Sequence, residues 1–181
     1  MAITLSSSRS STLEPVRKNR WVLQFATVPG SAGEAVNELA FAAHTCAVPA
    51  FSTARTQMSR MNEKFNYAGL PDWEEMSCTF YDFIGETTAG QVLYNWSQMI
   101  YNPITGQMFF KKSYSTSCTL AQLDPMGAIH RMWNIFYMFP TSVKLGDTLS
   151  YSDGEVSETT ASFSYDFAIK ANDVDTTPAG L

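Results

Sequence analysis

Two side chains with metal-binding chemistry stand two residues apart, His44 and Cys46. On a strand that spacing puts both on one face, where an imidazole and a thiolate can hold the same ion. A closed structural site needs four such ligands, and no second pair lies nearby in sequence, so no metal site is expected. Asp147, Asp153 and Glu155 cluster around a turn but lack the alternating positions of a calcium loop. They read as a solvated turn. Asn95-Trp96-Ser97 spells a glycosylation acceptor, yet it falls in a helical pattern behind an N-terminus with no signal-peptide core. The chain contains no GxSxG, P-loop, GxGxxG or HExxH sequence. Neither a catalytic constellation nor a cofactor site is expected.

What remains is polar chemistry in an ordered row. From residue 157 to 170 the chain alternates, with Ser157, Thr159, Ala161, Phe163, Tyr165, Phe167 and Ile169 on one face. Glu158, Thr160, Ser162, Ser164, Asp166, Ala168 and Lys170 fall on the other. Period two means a strand with one face in a core and the other wet. The run is longer than the roughly 5–6 residues of a typical strand. Its wet face carries short hydroxyls and carboxylates, with no cation before Lys170. Such a face is either an ordinary solvated sheet surface or the wall of a duct that repels polyanions weakly.

Composition bears on the same choice. A length of 181 residues is one domain by the usual prior, with chain enough for a sizeable core. Charged residues make up 16%, against roughly 25% in a soluble domain. A surface short of charge and rich in Ser, Thr, Met and aromatics suits a subunit packed among copies of itself. Residues 1–20 carry net +3, which leaves −8 for the rest of a chain whose total is −5. That acidic body argues against ordinary phosphate-backbone binding, but not against a passage through which DNA slides. Three cysteines, Cys46, Cys78 and Cys118, form no CxxC pair. An odd count leaves at least one thiol free or paired between subunits. No apolar run reaches membrane-spanning length, and the expectation is a soluble protein made in the cytoplasm.

The elements that position these residues read as mainly β. Strands are expected at Asn19–Phe25 (Trp21, Leu23 and Phe25 on one face), Leu39–Cys46, Glu74–Phe83 and Ser113–Leu123. Thr53–Trp73 is polar and charge-mixed, carries Arg55, Arg60, Glu63, Lys64 and Tyr67, and ends in Gly69-Leu70-Pro71. It reads as a long hairpin or excursion projecting from the core. Thr88–Asn102 is the one clear helix, with Val92, Leu93, Trp96, Met99 and Ile100 at helical spacing and Thr87 or Thr88 as its cap. Gly127–Phe139 fits two periods. Ile129, Met132, Trp133 and Phe136 suit a helix, whereas Ile129, Trp133, Ile135, Tyr137 and Phe139 suit a strand face. Its β-branched and aromatic content favours the strand, ended by Pro140. Residues 1–12 read as a flexible arm, 13–171 as the domain and 172–181 as a loose tail. With no βαβ alternation, the order implies two packed antiparallel sheets, a sandwich or barrel, with a flanking helix.

Certain pieces, in their order and spacing, resemble the tail tube proteins of contractile-tailed bacteriophages. These are Arg20–Phe25, His44-Thr45-Cys46-Ala47-Val48-Pro49, Phe65-Asn66-Tyr67-Ala68-Gly69 with Asp72-Trp73, the corner Phe139–Val143, and Glu158–Ala168. The resemblance implies hexameric rings stacked into a hollow tube inside a contractile sheath, conducting the genome through the cell envelope. The implied partners are copies of the chain itself, sheath, baseplate and tail-terminator proteins, and in the lumen a tape-measure protein and then DNA, without stable membrane binding. The implied location is the virion tail, assembled in host cytoplasm. On this reading Glu158, Thr160, Ser162, Ser164 and Asp166 line the lumen, and Arg55, Arg60, Glu63, Lys64 and Tyr67 lie at contacts between rings or subunits. The same fold serves type VI secretion tubes and phage-like injection particles. A monomeric ligand-binding β-barrel is the alternative from another class, and needs an enclosed apolar pocket.

Overall fold

The computed structural model describes residues 15–85, 87–146, 150–152 and 154–171. The expected arm at 1–12, the tail at 172–181, and Asp147 and Asp153 lie outside the described residues. In chain order the elements are β1 (Trp21–Phe25), α1 (Glu34–Ala42), β2 (Ala43–Cys46), β3 (Phe51–Arg60), β4 (Glu63–Trp73) and β5 (Met76–Tyr81). They continue with α2 (Ala89–Gln98), β6 (Tyr101–Asn102), β7 (Gln107–Met108), α3 (Lys111–Tyr114), β8 (Thr116–Leu123), β9 (Ile129–Lys144), β10 (Glu158–Ser164) and β11 (Phe167–Ala171).

The long strand β9 is the spine. Along one edge it pairs with β10 and then β11, from Thr160↔Lys144 to Ala171↔Met132. Along the other edge its first part pairs with β8, which pairs with β1. From β10 the sheet extends through β5 to β2. All these pairings are antiparallel. Two lobes therefore share one spine: β1, β8, early β9 and β11 form lobe A, while late β9, β10, β5 and β2 form lobe B. Among the described residues β1 and β11 are the outer strands of lobe A, and β2 and the end of β9 those of lobe B.

Between the lobes lies a core that alternation in the sequence dictates. Leu23, Phe25, Cys118, Leu120 and Ile135 come from lobe A, and Met76, Cys78, Phe80, Ala161 and Phe163 from lobe B. The apolar face of α2 (Val92, Leu93 and Trp96) joins them. Trp96 is fully buried and meets Phe25 edge-on at 5.7 Å and Phe163 at 5.7 Å. Its indole N–H donates to the Tyr114 carbonyl at 2.7 Å, so burial leaves no orphaned donor. Thr88 caps α2 by accepting from the Gln91 amide. Asp82, in the loop before α2, accepts from the Gly90 amide at 3.2 Å and the Thr159 hydroxyl at 2.9 Å. A Cβ at Gly90 would sit 3.1 Å from that carboxylate, so any larger residue there makes the Asp82 side chain give by a few tenths of an ångström.

Several expectations need correction. Leu39–Cys46 is not one strand: a second helix, α1, runs to Ala42, and only Ala43–Cys46 is extended. Ala35, Leu39 and Ala42 share its buried face, at the helical spacing i, i+4, i+7. Strand β8 starts later than Ser113, because Lys111–Tyr114 make one helical turn. Pro140 does not end β9. The strand runs on to Lys144, and Pro140 stands next to a bulge, where a missing N–H is tolerated.

The face Ile129, Trp133, Ile135, Tyr137, Phe139 also breaks. Between Ile135 and Met138 the strand β9 carries one residue more than β8 opposite it, and Tyr137 sits at φ +56°. Past this bulge Met138 and Pro140 face the core, while Tyr137 is exposed. The partner strand kinks alongside it at Tyr165–Asp166, between β10 and β11. Thr159, Ala161, Phe163 and Tyr165 are buried as expected, but Phe167 and Ile169 are exposed, and Phe136 and Phe167 stack at 4.8 Å. A spine that passes from one lobe to the other has to re-phase both of its strands at the crossing.

Candidate assembly and conduit surfaces

Register assembles the outer face of lobe B from residues far apart in sequence. Ser162 stands between Ser77 and Ser142, and Thr160 between Thr79 and Lys144, with Thr45 beyond Thr79. Directly opposed residues share a face. The result is two cross-strand rows, Ser77–Ser162–Ser142 and Thr45–Thr79–Thr160–Lys144. Glu158 extends this face beside Tyr81. Glu158, Thr160, Ser162 and Ser164 are each half-buried, hemmed by neighbouring strands. Asp166 stands apart from them beyond the kink. It is exposed and pairs with Lys111 in a cleft of about 450 Å³ that includes Lys112, Thr27 and Tyr137.

At the rim of this face His44 Nδ1 meets Glu158 Oε1 at 2.8 Å, and the imidazole stacks on Tyr81 at 4.2 Å. His44 and Cys46 do not share a face. The bulge between Ala43 and Thr45 leaves His44 and Thr45 both outward and Cys46 inward, beside Cys78. Among the described residues no group of three or more His, Cys, Asp and Glu side chains could hold a metal.

The expected excursion is a two-stranded hairpin, β3 and β4, joined by Met61 and Asn62. Among the described residues it pairs with no other strand, and every residue from 51 to 68 is exposed. Its bulge at Thr53–Arg55 lies against Gly69, where a Cβ would come within 2.8 Å of the Ala54 carbonyl oxygen. Register divides it into two faces. Met58 opposes Phe65, Thr56 opposes Tyr67 and Arg60 opposes Glu63 on one; Gln57 opposes Asn66, Ser59 opposes Lys64 and Arg55 opposes Ala68 on the other. The five residues expected at contacts are thus split, with Arg60, Glu63 and Tyr67 beside an apolar stripe and Arg55 and Lys64 on the polar side. The expectation of a merely charge-mixed arm missed Met58 and Phe65, which are 48% and 41% exposed. Alternation within 56–67 carries that signal, but only the register shows which residues it joins.

At its root the hairpin is tied to the body. The Ala47 amide donates to the Ser77 carbonyl at 2.9 Å, and the Glu74 amide to the Ala50 carbonyl at 3.0 Å. Tyr165 is 3.3 Å from the Ala50 carbonyl, and its ring packs on Trp73. Burial raises the Tyr165 phenol above its usual range, against the opposing effect of that backbone hydrogen bond. The outer face of lobe A differs from that of lobe B: Val22, Phe167 and Ile169 are exposed there, and no hydroxyl row crosses it.

No family model and no curated protein matches the sequence. Solved structures do match its fold. The chain is similar to one in the cryo-EM structure of the anti-feeding prophage cap, which terminates that particle's tube, at TM-score 0.68 and 12% identity over 94% of this chain and 99% of that one. A chain of the extended sheath–tube complex of the extracellular contractile injection system PVC aligns at TM-score 0.62 and 13% identity, over 94% and 99%. The SPP1 tail tube aligns at 0.52 and 14%, over 91% and 83%. The chain has the tail-tube fold.

Proposed function

We propose that the protein is a subunit of a tail tube, forming hexameric rings that stack into a hollow conduit within a contractile sheath. The observation that carries this reading is the hairpin β3–β4. An isolated two-stranded hairpin is marginal in water, and this one leaves an apolar stripe in solvent along its length. Burial against neighbouring copies supplies the missing contact, at about 25 cal/mol per Å² of apolar surface covered. The outer strands of the two lobes, β1 and β2 among them, complete the argument, because ring closure pairs edges that a monomer exposes. With the hydroxyl rows of lobe B turned inward, the lumen offers hydroxyls, few carboxylates and the cation of Lys144. The apolar outer face of lobe A is then left for neighbours or sheath. DNA is the cargo this wall suits.

Negative-stain electron microscopy of the purified chain tests the reading. Rings or tubes are the expected result, and dispersed monomers at high concentration overturn it. A second reading, the inner tube of an injection particle moving protein effectors, is favoured by the higher TM-scores to injection-system chains than to the phage tube. Mass spectrometry of lumen contents in native particles separates the two.

A further inference from the structure

We infer that Cys46 and Cys78 are a disulfide-forming pair that staples the root of the projecting hairpin. The two residues are cross-strand neighbours on β2 and β5, and their sulfurs lie 2.8 Å apart. Two thiols at that separation are already inside ordinary contact, and less than about 1 Å of closure reaches the roughly 2.05 Å of an S–S bond. The stretch of chain between them, 47 to 77, contains the whole of β3 and β4. Oxidation therefore converts the hydrogen-bonded root, Ala47 to Ser77 and Glu74 to Ala50, into a covalent collar. The arm that meets neighbouring copies in the proposed assembly is then anchored to the body at both ends. The pairing itself does not depend on that assembly. It also settles which thiol is odd: Cys118 lies on β8 in lobe A, buried.

The two sulfurs have unequal roles. Cys46 is half-exposed and borders a cleft open to solvent beside Lys18 and Arg131, whereas Cys78 is fully buried. The oxidant is a small disulfide such as oxidised glutathione. The Cys46 thiolate attacks one of its sulfurs, forming a mixed disulfide and expelling one thiolate, which takes up the proton Cys46 released. Cys78 then loses its proton to water and attacks Cys46 Sγ, breaking the mixed disulfide and expelling the second small thiolate, which takes a proton back from water. Two protein thiols are oxidised and one small disulfide is reduced to two thiols. The hydrogen bond to Cys46 and burial raise the Cys78 thiol well above its usual range, so the second step speeds up with rising pH.

The test uses the full chain, incubated with oxidised glutathione, then denatured and alkylated. Reactive thiols should fall from three to one, and non-reducing peptide mapping should join the Cys46 peptide to the Cys78 peptide. Trypsin cutting at exposed Arg55, Arg60 or Lys64 should leave the halves joined on a non-reducing denaturing gel and free after reduction. Cys46→Ser should abolish the link, and Cys118→Ser should preserve it. Three thiols surviving oxidation, a link through Cys118, or covalent subunit–subunit dimers in place of the internal bond would each overturn the inference. Because the mapping is done on the unaltered chain, a variant that fails to fold does not shield it.

Discussion

Trp96 is the largest fully buried side chain among the described residues. It touches aromatic rings from β1 and β10, and spends its only polar hydrogen on Tyr114. Trp96→Ala should cost about 3–5 kcal/mol, read from urea denaturation, and should free the Tyr114 carbonyl. Asp82 holds the loop before α2 to the helix and to Thr159, so Asp82→Ala leaves one amide and one buried hydroxyl without their acceptor. That change should cost about 1–3 kcal/mol, with the helix N-terminus fraying first in hydrogen exchange. The buried thiols add a pH dependence. Burial keeps Cys118 well above the usual 9.0, and Cys46 with burial does the same for Cys78. Both are neutral in the fold and ionise sooner in the unfolded chain. Their contribution to stability is complete below about pH 9 and is lost as pH rises beyond it. Denaturation midpoints of reduced protein should therefore drop on the alkaline side, less steeply in Cys118→Ala than in the unaltered chain.

The hairpin is the element that separates folding from assembly. Residues 51 to 68 of the hairpin are all exposed and only its root, at Trp73, packs on the core, so Met58→Ser with Phe65→Ser should leave the melting temperature within a degree or two of the unaltered chain. The same pair should abolish tube growth, as seen by electron microscopy and sedimentation. Reversing Arg60 or Glu63 singly tests the charged end of the same stripe: impaired polymerisation from a folded subunit is expected, and tubes of normal length from both would remove the hairpin from the contact. Sequence located this arm closely, because a long polar stretch closed by Gly69-Leu70-Pro71 has no place in a core. Its apolar face escaped notice because Met58 and Phe65 are seven residues apart and meet only through the register.

At the scale of the whole molecule the two lobes present unlike surfaces, and the tube reading depends on which one turns inward. Ser162→Lys with Ser164→Lys places two cations per subunit on the hydroxyl face of lobe B, one of them between Ser77 and Ser142. Both side chains reach solvent, so rings should still assemble. DNA passage should slow, most at low salt, because counterion release strengthens cation–phosphate contacts there. Normal ejection rates at low salt would mean that lobe B faces elsewhere. In that case the apolar face of lobe A, with Val22, Phe167 and Ile169, becomes the inner surface to test.

Local order alone determined the strands β1, β5 and β10, whose inward residues alternate without interruption, and the helix α2 with Thr88 at its start. It also determined a surface poor in charge. Each of these follows from a period of two or 3.6 read over a few residues, which is information a short segment carries by itself. Only the tertiary structure decided where the period slips. The extra residue near Tyr137, the kink at Tyr165–Asp166 and the bulge at His44 are set by pairing with strands remote in sequence. Each slip reverses the faces beyond it: Phe167 and Ile169 turn outward, and Cys46 turns in toward Cys78. A bulge costs one unpaired residue and gains a sheet that can bend around its core. That balance belongs to the packed molecule and not to any segment of it.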